Sequence, residues 1–268
     1  MHKSPLFRLV SVTVLVVAIV VIILMFLRFV GSEQQFAPTP HPWMDKKHWL
    51  LARLSPKDCS QVALEQMLEL GPEWMIWIDV QPTEQLELNM VCPEKHLFEI
   101  KSPAKQGPKL AQVLPLLKNR DVIFNLRATD VSAGTPFLKL FDDLKDQKHI
   151  GVASASQGLL RDLRKKRAEW LFAADASTWT KLKFFGAFGV QTAIELWPDF
   201  FVASQEAAEP NAYDQTAAIE INRRKKVLLL ELDSDDVDPM WREQLRGILT
   251  TRPKNFSADT FFKKTGAE

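Results

Sequence analysis

The sequence predicts an α/β domain behind one apolar N-terminal helix, and three observations predict it. Residues Leu9 to Leu27 (LVSVTVLVVAIVVIILMFL) carry no charge and are long enough to cross a bilayer as a helix that pairs its own backbone polar groups. Beyond them, short apolar strands alternate with segments of helical period, the order a mainly parallel sheet requires because every parallel connection has to cross over. No Pro/Gly/Ser-rich break divides the chain after about Lys46, so one large core is expected. About eight strand and helix units suit a (β/α)8 barrel, and period alone leaves an open doubly wound sheet as the alternative.

The apolar run makes residues 1–31 a signal anchor. Lys3 and Arg8 precede it, while Arg28 and Glu33 after it nearly cancel. This bias predicts a single-pass protein with a cytoplasmic N-terminus and an extracytoplasmic domain, periplasmic or extracellular. A cleaved signal peptide is the competing reading. The core is longer than a typical h-region, however, and Met25 to Val30 offers no small-x-small processing site. Residues 32–45 are expected to be a juxtamembrane spacer, given the Pro, Gln and Ser content of Gly31 to Pro42 (GSEQQFAPTPHP). Residues 46–258 are then the domain and 259–268 a tail.

Candidate strands are Trp49 to Leu54, Trp74 to Val80, Leu86 to Val91, Asp121 to Leu126, His149 to Ser154, Trp170 to Ala173, Phe200 to Ala203, Val227 to Leu232 and Gly247 to Leu249. Helical periods cover Pro56 to Leu70, Lys109 to Lys118, Thr135 to Lys145, Gln157 to Lys166, Thr178 to Phe185, Tyr213 to Arg223 and Pro239 to Leu245. The first of these carries its own start signal: Ser55 as cap, Pro56 at the first helical position, and Asp58 where exposed amides favour a carboxylate.

A formal net charge of +1 supplies no field for nucleic acid. The one dense basic run, Arg161 to Arg167 (RDLRKKR), reads as the wet face of a helix or as a headgroup or partner patch. Cys59 and Cys92 form no C-x-x-C pair or metal-ligand spacing. They are either a disulfide of an oxidising compartment or two buried thiols. No strand is followed by G-x-G-x-x-G, G-x-x-x-x-G-K-[ST] or G-x-S-x-G, which argues against nucleotide-dependent and serine-hydrolase chemistry.

Three blocks of residues narrow the fold. Ala63 to Thr83 (ALEQMLELGPEWMIWIDVQPT) leads from a helix through a glycine into a strand ending Asp79, Val80 and Thr83; Gly107 to Leu114 (GPKLAQVL) opens a helix; Gly247 to Pro253 (GILTTRP) closes the domain. In order and spacing these resemble the glycerophosphodiester phosphodiesterase family, which includes phosphatidylinositol-phosphodiesterase-like TIM barrels. The family hydrolyses glycerophosphodiesters, commonly with a divalent metal. The resemblance spans Trp49 to Pro253 and implies a (β/α)8 barrel.

It also implies a degenerate site. The family's first strand ends His-Arg-Gly; Leu51 to Leu54 supplies only Arg53. A second family histidine belongs near Met90 to Pro93, where Val91 and Cys92 stand. Phosphodiester cleavage needs a proton donor and acceptor at these two places. The family's E-x-D glutamate corresponds to Trp77, leaving Asp79 as the sole retained metal ligand, and its later E-x-K corresponds to Asn125, Leu126 and Arg127. Leu230 to Asp233 replaces W-T-x-N, and Thr251 replaces a terminal aspartate. One carboxylate and an amide make a poor cage for a hard cation.

The expected role is therefore a membrane-anchored pseudoenzyme. Its barrel mouth is lined by Arg53, Asp79, Asn125, Arg127, Glu231 and Asp233, and Arg53, Asp79 and Arg127 are the catalytic remnants. Two arginines suit a phospholipid headgroup or glycerophosphodiester; a membrane or envelope protein is the other partner class. The bland reading of the same residues is an internal ion network. An active phosphodiesterase with an atypical site, using Mg²⁺ or Ca²⁺, and an envelope scaffold are the alternatives; otherwise no cofactor is expected. Trp77 is expected to fill the former metal cavity. His48, His96 and His149 are expected to be structural or surface residues, with His96 in reserve as a base.

Overall fold

The structure is a computed structural model that describes residues 5–32, 36–94, 103–142, 149–204, 212–232, 241, 243–256 and 261–262. Its strands are β1 (Trp49–Arg53), β2 (Trp74–Pro82), β3 (Leu88–Pro93), β4 (Ala104–Lys109), β5 (Val122–Leu126), β6 (Ile150–Ser154), β7 (Leu171–Phe172), β8 (Phe200–Ser204), β9 (Val227–Glu231) and β10 (Gly247–Thr250). The helices are α1 (Pro5–Ser32), α2 (Gln61–Leu68), α3 (Leu110–Val113), α4 (Gly134–Lys139), α5 (Gln157–Lys166), α6 (Ala176–Ala187) and α7 (Ala212–Arg223).

Eight strands pair in parallel in the order β7-β6-β5-β2-β1-β10-β9-β8. A parallel bridge from Ala173 to Phe200 brings the two ends together, so the sheet is a nearly closed TIM barrel and not an open doubly wound sheet. The period of two along each strand creates two apolar layers. Trp49, Leu51, Met75, Trp77, Ile123, Phe200, Leu229 and Leu249 fill the interior, while Leu50, Ile76, Phe124, Val152, Leu228 and Ile248 pack outward beneath the helices.

The barrel floor is closed by residues assigned to the spacer on composition. His41 accepts the Trp43 N–H at 3.2 Å and caps a 3-10 helix at Pro42–Asp45, whose Trp43 and Met44 join the interior cluster. Trp49 donates its indole N–H to the Trp43 carbonyl at 2.9 Å. Gly151 lies where a Cβ would press on the Trp43 ring at 3.1 Å and on Ile123 at 3.0 Å. The apolar pair behind the Pro/Gln/Ser stretch makes this segment core.

Other differences are local. Leu86 to Val91 is no barrel strand: β3 folds back antiparallel on the end of β2, with Val91 opposite Asp79, and β4 pairs beyond it. An alternating apolar pattern carries no sign of strand direction. The first helix starts at Gln61 with Ser60 as cap; Asp58 accepts the Ser60 N–H at 3.1 Å in a turn that delivers Cys59 to Cys92. These cysteines form a buried disulfide. Gly107 on β4 passes so close that a Cβ would meet the Cys59 carbonyl at 2.7 Å. Pro115 divides the Lys109 to Lys118 segment into α3 and a 3-10 turn. Of Pro239 to Leu245, residues 239, 240 and 242 lie outside the described residues.

The basic run on α5 is largely paired: Arg164 binds the Trp197 carbonyl at 2.7 Å and Asp199 at 3.1 Å, Lys166 binds Asp162, and Arg167 binds Asp142. Within α1, Leu9–Gly31 is long and apolar enough to cross a membrane, with mean hydropathy 3.3; its apolar stretch is unburied, and only its end, at Gly31, packs on the domain.

Candidate functional site

The barrel strands end at the same rim, where the inward positions of β1, β2, β5 and β9 carry polar side chains above the apolar column. Register places Arg53 opposite Trp77 and Asp79 opposite Asn125, while Glu231 lies beside Leu249. The result is one hydrogen-bonded group. Arg53 Nε donates to Asp79 Oδ2 at 2.7 Å and its Nη1 to Glu231 Oε1 at 2.6 Å. Asn125 Nδ2 donates to Asp79 Oδ1 at 2.6 Å.

Arg53, Asp79 and Asn125 are buried, and the Glu231 side chain keeps 18% of its surface exposed. Arg127, also buried, extends β5 inward beyond Asn125, and its backbone N–H donates to the Val80 carbonyl at 2.8 Å. Asp233 and His96 lie outside the described residues. The structure thus joins four of the six expected residues, Arg53, Asp79, Asn125 and Glu231, as an ion and amide network.

Trp77 sits one layer below Asp79, wholly buried, with no hydrogen-bond partner for its indole nitrogen among the described residues. A glutamate there would point a second carboxylate into the barrel; the indole fills that space with hydrocarbon. Both Asp79 oxygens already accept hydrogen bonds, and the nearest cation is a guanidinium. Among the described residues no group of three His, Cys, Asp or Glu side chains could hold a metal ion. A resident divalent cation therefore does not fit this donor set.

No family model matches the sequence, and no curated protein matches it. Solved structures do. A phosphodiesterase from Oleispira antarctica, solved with the product sn-glycerol-3-phosphate, is 9% identical with a TM-score of 0.54, covering 82% of this chain and 97% of its own. A glycerophosphodiester phosphodiesterase from Parabacteroides distasonis is 14% identical at a TM-score of 0.52, covering 82% and 98%. Another from Agrobacterium tumefaciens is 13% identical at 0.51, covering 79% and 100%. The fold is that of the glycerophosphodiester phosphodiesterases.

Within this glycerophosphodiester phosphodiesterase-like barrel the described histidines, His41, His48 and His149, stand away from the Arg53 network. His149 precedes β6 at the floor and hydrogen-bonds Asp121 at 2.6 Å. His48 stacks on Phe262 with ring centroids 3.7 Å apart; burial first, then the nearby Lys47 and Arg246 charges, lowers its pKa. Burial alone would raise the Asp121 carboxyl, but hydrogen bonds from Lys46, His149 and Trp43 outweigh it and hold the group below the ordinary carboxylate range.

Two cavities flank the glycerophosphodiester phosphodiesterase-like barrel without touching the Arg53 network. One of about 760 Å³ is lined by Leu114, Leu117, Phe124, Phe141 and His149, and one of about 200 Å³ by Asp175, Trp179, Phe201, Asp214 and Trp241. The Lys46–Asp121–His149 cluster was not foreseen, because its members come from three separate segments with no common spacing.

Proposed function

We propose that the chain is a membrane-anchored glycerophosphodiester phosphodiesterase-like protein that does not hydrolyse its ligand. Its barrel mouth binds an anionic group: a phospholipid headgroup, a glycerophosphodiester, or the acidic face of a membrane or envelope protein. The reading is carried by one observation, the Arg53 guanidinium seated on Asp79. A guanidinium in that place neutralises the carboxylate and cannot serve as proton donor or acceptor near neutral pH. Arg127, a second buried arginine at the rim, has the fork geometry that suits phosphate oxygens. The apolar α1 supports an uncleaved anchor with the domain outside the cytoplasm.

A working phosphodiesterase with an atypical site is favoured by Glu231. This rim carboxylate keeps partial contact with solvent and could accept a proton. The full chain in detergent, incubated with a glycerophosphodiester panel plus Mg²⁺, Ca²⁺ or chelator, separates the two. Turnover lost in Asp79→Ala would sink the noncatalytic reading. No turnover, together with calorimetric binding of sn-glycerol-3-phosphate that is lost on replacing Arg127 by Met, is the expected result.

A further inference from the structure

At the C-terminal end of α6, Phe184 and Phe188 are 59% and 57% exposed and Phe185 is 37% exposed. The Phe184 ring packs on both of the others, its centroid 5.5 Å from Phe185 and 5.2 Å from Phe188. With exposed Lys181 they occupy positions i, i+3, i+4 and i+7, a single helix face. Single exposed apolar residues are ordinary, but an exposed phenylalanine packed against two others beside a lysine needs a partner.

What lies next to them is the end of α1. Gly31 is buried against Thr192, leaving no room for a Cβ, and the Arg28 guanidinium reaches within 3.8 Å of where a Cβ would stand on Gly189. Gly189 follows Phe188 directly. This contact is braced from the barrel side: Arg224 donates to the carbonyls of Gln191 at 3.1 Å, Thr192 at 2.9 Å and Ile194, and is itself held by Glu220 at 2.6 Å. Past the anchor, Phe36 stacks over the guanidinium groups of Arg223 and Arg224, at 5.0 and 4.9 Å. The barrel is therefore not loosely strung to α1 at this point.

Direction follows from topology. Asp175 caps the start of α6 just beyond β7, at the rim that carries Arg53 and Asp79. The twelve residues of α6 then run back toward the floor, roughly 18 Å at the helical rise. The phenylalanines, the Thr192 turn and the exit of α1 all belong to the floor end.

We propose that the Phe184–Phe185–Phe188 face enters the headgroup and acyl boundary of the bilayer spanned by α1, so that the barrel stands on its floor with its mouth turned away from that membrane. Aromatic side chains with a neighbouring lysine are suited to this boundary, where rings leave water and the ammonium keeps it. The proposal rests on the anchor reading of α1. It deepens the functional reading too: the mouth takes its anion from the aqueous side and not from lipid of its own leaflet.

The test uses the full chain in vesicles of phosphatidylcholine and phosphatidylglycerol, carrying an environment-sensitive fluorophore on single cysteines replacing Val20, Phe184, Phe188 or Leu86. Leu86 is 49% exposed on the turn between β2 and β3 at the mouth rim. These positions are exposed and Cys59 and Cys92 are buried in their disulfide, so labelling leaves the core intact. The expected result is quenching by nitroxide lipids at Val20, Phe184 and Phe188 that exceeds Leu86 by about twofold or more, with Leu86 quenched by aqueous iodide. Quenching at Val20 with iodide-accessible 184 and 188 positions overturns the proposal and leaves the anchor standing. Labels at 184 and 188 shielded from both quenchers assign the face to a second copy and also overturn it. An unquenched Val20 label removes the anchor, and the proposal with it.

Discussion

The guanidinium of Arg53 is seated on the carboxylate of Asp79, Nε to Oδ2 at 2.7 Å, with side-chain exposures of 5% and 2%. Removing one member of such a pair leaves the other charge buried without its counterion. Arg53→Met is expected to cost about 3–5 kcal/mol. Arg53→Met combined with Asp79→Leu should cost less than the sum of the singles, because no charge is then stranded at Asp79. Urea unfolding of all four proteins measures this, and strictly additive losses would show that the pair is not coupled.

The Cys59–Cys92 bridge closes a loop of sequence separation 33 that holds the β3–β4 hairpin to the start of α2. Chain entropy assigns it about 4 kcal/mol. Cys59→Ser with Cys92→Ser should lower the unfolding midpoint accordingly, and dithiothreitol should lower that of the parent but not of the double variant.

Two glycine replacements should move stability in opposite directions. At Gly247 a Cβ would stand 2.6 Å from Leu229 Cδ2 and 2.7 Å from Trp49 Cβ, in the seam where β10 meets β1 and β9. Gly247→Ala is expected to destabilise by about 1–3 kcal/mol. Gly158, in the first turn of α5, faces only Val131 Cγ2 at 3.4 Å; Gly158→Ala should stabilise by about 0.5 kcal/mol through lower chain entropy. Thermal melts of both variants decide the signs.

Asp121 sets an acid limit on the floor. Its folded pKa lies below the unfolded value, so its contribution is present above about pH 4 and is lost as pH falls through the lower folded value. Asp121→Asn should cost about 2 kcal/mol near neutrality, the scale of a charged hydrogen bond. The difference from the parent should close below about pH 4. Urea titrations across this range would contradict the assignment if the gap stayed constant.

The alternation of strands and helices was legible because apolar runs separated by helical periods leave few ways to bury both faces. The span of α5, Gln157–Lys166, follows directly from its period, and the structure adds Ser156 as its cap. What could not be read depends on partners distant in sequence. Nothing local to Ser55 shows that Cys59 is pinned to Cys92, and nothing in Leu86 to Val91 distinguishes a hairpin from a barrel strand. At the mouth, parity and the resemblance placed Arg53, Asp79, Asn125 and Glu231 at one rim. Sequence could not say that Arg53 would spend its donors on both carboxylates.

Because Trp43 and Met44 are interior side chains, the segment between α1 and β1 is itself part of the core. A fragment trimmed to begin at Lys46 would fold, if it folded at all, around a hole the size of an indole and a thioether. Tension along α1 would likewise be transmitted into the barrel floor before any strand parted. Removing the segment between α1 and β1 is thus an internal deletion in physical effect, and versions that lack α1 have to keep everything from Phe36 onward.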